Sequence, residues 1–307
     1  MAAAEQIGAY QIRLSEPPVL SRPPKVDVMI VVKGYFDDSQ TTGKVWALGG
    51  YTGGFHHWAE FDSKWRIALA IHDVPYFHMR EVSDPKGPFA KWLPSQGHQF
   101  EWAAFFGDLA KVINGARLTS ICCLVRMEDL QRFNSERGLN LEPYPLAAYG
   151  CTLLAGKEYT GHPTELIFDH VEKVDSKLVK AREYADSDKF LGPDGVFDKI
   201  VTAPLPKDLT FRDVPALQAA DFWVWEYRKN HLKMDSWWSL EDRPKQRGDE
   251  QWEHMERWVR DTHGGFEAAT RKSAQALMTR PNMHCLIWHY QELCDAHEAR
   301  GGVWALP

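Results

Sequence analysis

The chain has 307 residues, 44% hydrophobic and 25% charged, with 36 basic against 42 acidic side chains and a formal net charge of −6. That composition suits a soluble globular protein of one large domain plus an appendage. It argues against a tight binder of duplex nucleic acid, because no dense basic block is present and basic and acidic residues are interspersed between Trp223 and Lys272. No uncharged run reaches the ~18 apolar residues of a membrane span; the longest candidate, Pro143 to Gly156, is shorter and holds two prolines. The five cysteines, Cys122, Cys123, Cys151, Cys285 and Cys294, form no disulfide framework. Together with an N-terminus lacking a signal-peptide layout, they point to a reducing cytoplasm.

In chain order, residues 1–25 hold Pro17-Pro18 and Pro23-Pro24 and read as an extended arm. Val26 to Phe36 is β-branched and apolar, a buried central strand; Ser39 to Gly43 reads as a turn, and Val45 to Tyr51 returns as the second strand of a hairpin. Gly49-Gly50 and Gly53-Gly54 lack the Gly-Lys-Ser/Thr of a phosphate loop, so they are expected to let the strand bend and leave the sheet. Trp58, Phe61, Trp65 and Leu69 recur at helical spacing and predict a helix over 57–71. Tyr76 to Met79 reads as an edge strand or the base of a loop, and the segment around 83–98 as a loop rich in Pro and Gly.

A helix over about 100–114, a strand over 118–125, a polar helix or turn over 127–137 and an apolar helix over 144–159 follow. Thr164 to Phe168 is a strand, Lys177 to Tyr184 helical, and Leu209 to Phe211 a short strand. Pro215 opens a helix running to about His231. The remainder, 233–307, is rich in Trp and reads as a helical extension, with helices over 250–260, 267–277 and 287–297. Thirteen Trp in all are assigned mainly to core or dimer packing, with a ligand- or base-stacking surface as the other use. The order of elements predicts an α/β layer, a mixed sheet with helices on its faces.

Three acids stand where buried residues are expected. Asp37, followed by Asp38 and Ser39, closes the run Val28 to Phe36; Asp169 closes Glu165 to Phe168; Asp221 lies in the apolar helix Pro215 to Trp223. A carboxylate beside so much apolar surface is costly unless it is paired, hydrogen-bonded or bound to a cation. The separations of 132 (169 − 37) and 52 (221 − 169) residues mean that only a fold can assemble the set. Each has a plainer reading: Asp37 as a turn cap, Asp169 as a loop residue, and Asp221 as the partner of a buried Arg or Lys.

These residues also carry a resemblance. A strand ending in Asp-acidic-Ser, a mid-chain strand ending in Asp, the late helix Leu217-Gln218-Ala219-Ala220-Asp221, and Phe77-His78-Met79 after the first long helix resemble the domain of unknown function 3800 family. The resemblance covers roughly residues 28–230. It implies a ribonuclease H-like fold over 26–232 and a metal-dependent nuclease, a phosphodiester hydrolase with a transient nucleic-acid substrate. By resemblance Asp37 falls on the central strand, Asp169 at the end of its neighbour and Asp221 on the helix packed across them. Together they would hold Mg²⁺ or Mn²⁺, ions that prefer carboxylate and water oxygens. A fourth acid is expected, with Glu81 the best candidate. Asp38 is read as a supporting acid or an exposed one, His78 as an assisting residue or a hydrogen-bonded, partly buried histidine, and Gln218 as an assisting residue or ordinary helix packing. The family's Asp-Glu-Ser-Gly is here Asp37-Asp38-Ser39-Gln40. Gln in place of Gly predicts a changed turn, because Gly alone reaches positive φ without cost.

Two other readings stand beside this one. His284, Cys285, His289, Cys294 and His297 cluster near the C-terminus, and Cys285 and His289 at i, i+4 would share a helix face and offer two zinc ligands. A non-catalytic module with the same fold would use the Trp-rich extension to dimerise or hold a protein partner.

Overall fold

The computed structural model describes residues 31–41, 43–82, 86–92, 99–186, 199–235 and 282–299. The arm over 1–25 and the helices expected over 250–260 and 267–277 lie outside them, as do Trp237, Trp238, Trp252, Trp258 and Trp304.

Strands β1 (Val32–Thr41), β2 (Val45–Gly54) and β3 (Thr119–Arg126) form an antiparallel meander. On its β1 side lie β4 (Thr164–Phe168) and β5 (Ile200–Pro204), both parallel to β1. On its β3 side lies β6 (Met283–Trp288), parallel to β3. The order is therefore β5-β4-β1-β2-β3-β6. This is the expected mixed α/β class, a mixed sheet with helices on its faces, and β1 is interior, as the apolar run requires.

Helices cover both faces. On one lie α1 (Phe55–Ile71), α2 (Gln99–Gly115) and α6 (Pro215–Asp235), packed around Trp65, Phe77, Phe105 and Trp223. On the other lie α4 (Pro143–Glu158) and α5 (Val174–Asp186), with α3 (Met127–Arg137) and α7 (Tyr290–Ala299) toward its β6 end. Strand side chains alternate between these layers. Tyr35 packs with the α6 layer and Phe36 with the α4 layer, where it stacks on Phe168 at 5.2 Å.

Several local expectations change. β1 runs on to Thr41 and the turn centres on Gly43, whose φ is +72°. Gln40 is an ordinary ladder residue opposite Trp46, so the missing glycine costs the hairpin nothing. Gly49, Gly50 and Gly53 lie inside β2 and stay paired with β1 rather than leaving the sheet. They provide close approach: a Cβ on Gly50 would fall 1.8 Å from the Tyr35 carbonyl oxygen. The segment over 209–211 is a loop entering a 3-10 turn (Phe211–Asp213), not a strand. The described end of the chain contributes a strand as well as a helix, since 283–288 joins the sheet edge and α7 starts only at Tyr290. Cys285 is therefore on a strand and shares no helix face with His289.

Candidate metal centre

The β1–β4 pairing places the first two acids. Phe36 and Phe168 are register partners, so the next position on each chain is Asp37 and Asp169, and parallel neighbours lie about 4.8 Å apart. The Asp169 N–H continues the ladder by donating to the Phe36 carbonyl at 2.9 Å. Alternation turns Asp37, like Tyr35, to the α6 side. Carried one residue past β4, it turns Asp169 to the same side as Ile167, which packs on Leu217 of α6. Asp38 has the parity of Phe36 and faces the α4–α5 layer, toward Lys177 and Tyr144. The sheet thus splits the Asp37-Asp38 pair between its two faces.

Helix α6 supplies the third acid. It crosses β1 and β2, and Asp221 is 7% exposed against 9% for Asp37. Asp221 Oδ2 accepts the Met79 backbone N–H at 2.6 Å, and Asp37 Oδ1 accepts the Asp38 N–H at 2.8 Å. Each carboxylate so retains an oxygen outside these bonds. Among the described residues no Lys or Arg forms an ion pair with Asp37, Asp38, Asp169 or Asp221, which removes the plainer reading of Asp221 as an Arg or Lys partner. Asp37 lies inside a strand rather than at a turn, which removes its reading as a turn cap.

All four carboxyls are held above the usual carboxylate range, with burial the largest cause at each. Burial pushes Asp37 well above the usual carboxylate range, and Asp221, Asp169 and Asp38 push it further. Asp221 is pushed up to about 6 by burial, against the Met79 N–H and His78, with Asp169 and Asp38 adding to the rise. Asp38 is pushed up to about 6 by burial, opposed by Lys177. Asp169 is raised by burial, opposed by the His170 N–H. Buried carboxylate oxygens without an ion-pair partner among the described residues fit a hard divalent ion. As the side chains stand, no three His, Cys, Asp or Glu among the described residues are gathered into a ligand shell.

Glu81 goes elsewhere. It accepts from Tyr76 Oη at 2.5 Å, lies 3.2 Å from His78 Nδ1 and 3.4 Å from Arg212 Nη2, and is held below the ordinary carboxylate range by those bonds against its burial. The carboxyl that interacts electrostatically with the three aspartates is Asp38, whereas the hydrogen-bond partners of Glu81 are Tyr76, His78 and Arg212.

Gln218 is fully committed inside the protein. Its Oε1 accepts from Trp65 Nε1 at 3.0 Å and from the Phe77 N–H at 2.9 Å. Its Nε2 donates to the carbonyls of Arg212 at 3.0 Å and Phe211 at 3.5 Å. It ties the 76–81 segment and the 211–213 turn to α6, three residues from Asp221. Sequence reasoning missed Lys177 and Tyr144, which interact with Asp38, and Arg212, which pairs with Glu81; nothing in their local spacing marks them.

Among the described residues the C-terminal His and Cys side chains do not gather into a metal-holding group of three. His284 pairs with Glu158 at 3.0 Å, His289 lies 3.7 Å from Glu292, Cys294 is buried on α7, and His297 packs edge-on to Phe133.

No family model matches the chain, and no curated protein matches it. Among solved structures it is similar to Bst-RNase HIII in a crystal complex with Mn²⁺. That likeness has 12% sequence identity and a TM-score of 0.36, and covers 83% of this chain and 72% of the other. No helix among the described residues is long and apolar enough to cross a membrane.

Proposed function

We propose that this protein is a metal-dependent phosphodiester hydrolase, a nuclease with Asp37, Asp169 and Asp221 as its metal ligands, and that it belongs to the domain of unknown function 3800 family it resembles. One observation carries the reading: Asp37 and Asp221 are buried on facing elements, with no ion-pair partner among the described residues, and both feel the charge of Asp169. Burying several carboxylates without an ion-pair partner costs several kcal/mol, and a bound cation would offset it. Mg²⁺ or Mn²⁺ bound there would activate water and stabilise the leaving oxygen of a phosphodiester. The chain's own residues do the rest. The Met79 N–H and the α6 backbone orient Asp221, the β1–β4 register fixes Asp37 beside Asp169, and Asp38 adds negative charge from the opposite face.

The test is a crystal grown in Mn²⁺ with anomalous scattering recorded, beside an assay of labelled DNA, RNA and hybrid duplexes in Mg²⁺ and Mn²⁺. A peak held jointly by the three aspartates, with cleavage lost in Asp221→Asn, is the expected result. No peak and no cleavage of any duplex would overturn the reading in favour of a non-catalytic interaction module.

A further inference from the structure

The turn that leads into α6 carries a guanidinium for which the carboxylate chemistry has no use. Arg212 lies in the 3-10 turn Phe211–Asp213, and its side chain is 60% exposed. Its Cζ sits 4.3 Å over the Tyr76 ring, and its Nη2 lies 3.4 Å from Glu81 Oε1. Glu81 is in turn held by Tyr76 Oη and His78 Nδ1.

The backbone beneath Arg212 is fixed as well. Gln218 Nε2 holds its carbonyl, and Asp213 Oδ2 closes a capping box on Thr210, accepting its N–H at 2.9 Å and its hydroxyl at 2.6 Å. The same Gln218 holds Phe77, whose neighbours His78 and Met79 face Asp221. One buried amide therefore sets the guanidinium and the carboxylates on a common frame.

Arg66, against the same turn, makes a useful contrast. Its guanidinium donates to both oxygens of Asp62 and to the Asp213 carbonyl, which consumes its fork. Arg212 has five N–H donors and gives one of them, over a long contact, to Glu81. A stacked, exposed guanidinium with donors to spare is suited to a planar two-point grip on a phosphate. A chain of net charge −6 with four carboxyls at its centre can hold a polyanion only through such local cations.

We propose that Arg212 is a phosphate clamp, gripping a backbone phosphate that flanks the bond cut at the aspartates, with Tyr76 and Glu81 holding its guanidinium ready. This rests on the nuclease reading and names how that site holds its substrate.

The test measures binding of short labelled DNA, RNA and hybrid duplexes, with Ca²⁺ as the divalent ion, as a function of salt. Wild type, Arg212→Gln and Arg212→Lys are compared, with thermal melting as the check on folding. Arg212→Gln is expected to weaken binding about tenfold and to flatten the log–log salt slope by about 0.7–0.9, the release of one phosphate contact. Arg212→Lys is expected to restore most of the slope, since it keeps the charge and loses the fork. A slope in Arg212→Gln equal to that of a wild type that does bind would overturn the clamp while leaving the nuclease reading intact. A wild type that binds no duplex would overturn both. A purely packing role for Arg212 would show as a lower melting temperature with no change in slope, which also counts against the clamp.

Discussion

Gly49 stands opposite Asp37 in the β1–β2 ladder, and the space a side chain would take there is filled by the Trp223 ring. Trp223 lies two residues past Asp221, so the missing Cβ lets α6 approach the sheet closely enough to bring Asp221 over Asp37.

Gly49→Ala tests that approach. A Cβ there would lie 2.9 Å from Trp223 Cζ3 and 3.2 Å from Cys122 Sγ, both in fully buried side chains. The ring has no room to yield, so α6 must shift. The expected cost is about 1–3 kcal/mol in urea unfolding, together with weaker Mn²⁺ binding by calorimetry. Gly50→Ala meets backbone at 1.8 Å and is expected to abolish soluble expression. If Gly49→Ala leaves both stability and metal binding at wild-type values, the helix is not held by that contact.

Asp221→Asn separates chemistry from stability. The amide keeps an oxygen to accept the Met79 N–H and removes a charge that burial disfavours. Without metal, this variant is expected to melt a few degrees above wild type at pH 7.5, about 1–3 kcal/mol of stabilisation. Cleavage in Mg²⁺ is expected to fall a hundredfold or more, on the order of losing one preorganised electrostatic group. A variant that melts lower at neutral pH would show that the ionised carboxylate is stabilised by contacts beyond the Met79 bond.

The pH dependence of the metal-free protein follows from the same groups. Asp221 and Asp38 are pushed up to about 6 in the folded chain against an ordinary 3.8, and burial raises Asp37 as well. The folded state therefore binds more protons than the unfolded one between about pH 4 and 6.5, and stability falls as pH rises through that window. Urea unfolding in EDTA is expected to show a protein more stable at pH 5 than at pH 7.5. Saturating Mn²⁺ is expected to reverse the trend, because it binds only the ionised carboxylates. Equal stability at both pH values in EDTA would mean that the carboxyls are solvated.

Gln218→Leu keeps the volume of a buried side chain that is 1% exposed and deletes its hydrogen bonds. Trp65 Nε1 and the Phe77 N–H lose their acceptor, and the Arg212 carbonyl loses its donor. The expected loss is about 3 kcal/mol. Hydrogen exchange at the Met79 amide should speed up as the 76–81 segment loosens. Unchanged exchange there would confine Gln218 to a packing role.

What the chain by itself determined was local and periodic. The apolar run into Asp37, the helical spacing of Trp58, Phe61, Trp65 and Leu69, and the Asp that follows Thr164 to Phe168 are legible because burial imposes a repeat on neighbouring residues. So is the oddity of an acid in Pro215 to Trp223, since an unpaired buried carboxylate is conspicuous in any apolar helix. Tertiary structure decided the rest. Ile200–Pro204 and Met283–Trp288 are strands because β4 and β3 offer them hydrogen bonds, and a short apolar run carries no mark of its partner. Gly49 reads as a breaker until Trp223 is seen to occupy its side-chain space. Asp37 and Asp38 look equivalent until the pleat sends them to opposite layers. Glu81 and Gln218 were both placed near the acids by sequence, yet one turns to Arg212 and the other is consumed by two segments far apart in the chain. Side-chain hydrogen bonds between such segments depend on where the backbone brings them, and that geometry exists only once the sheet and α6 have packed.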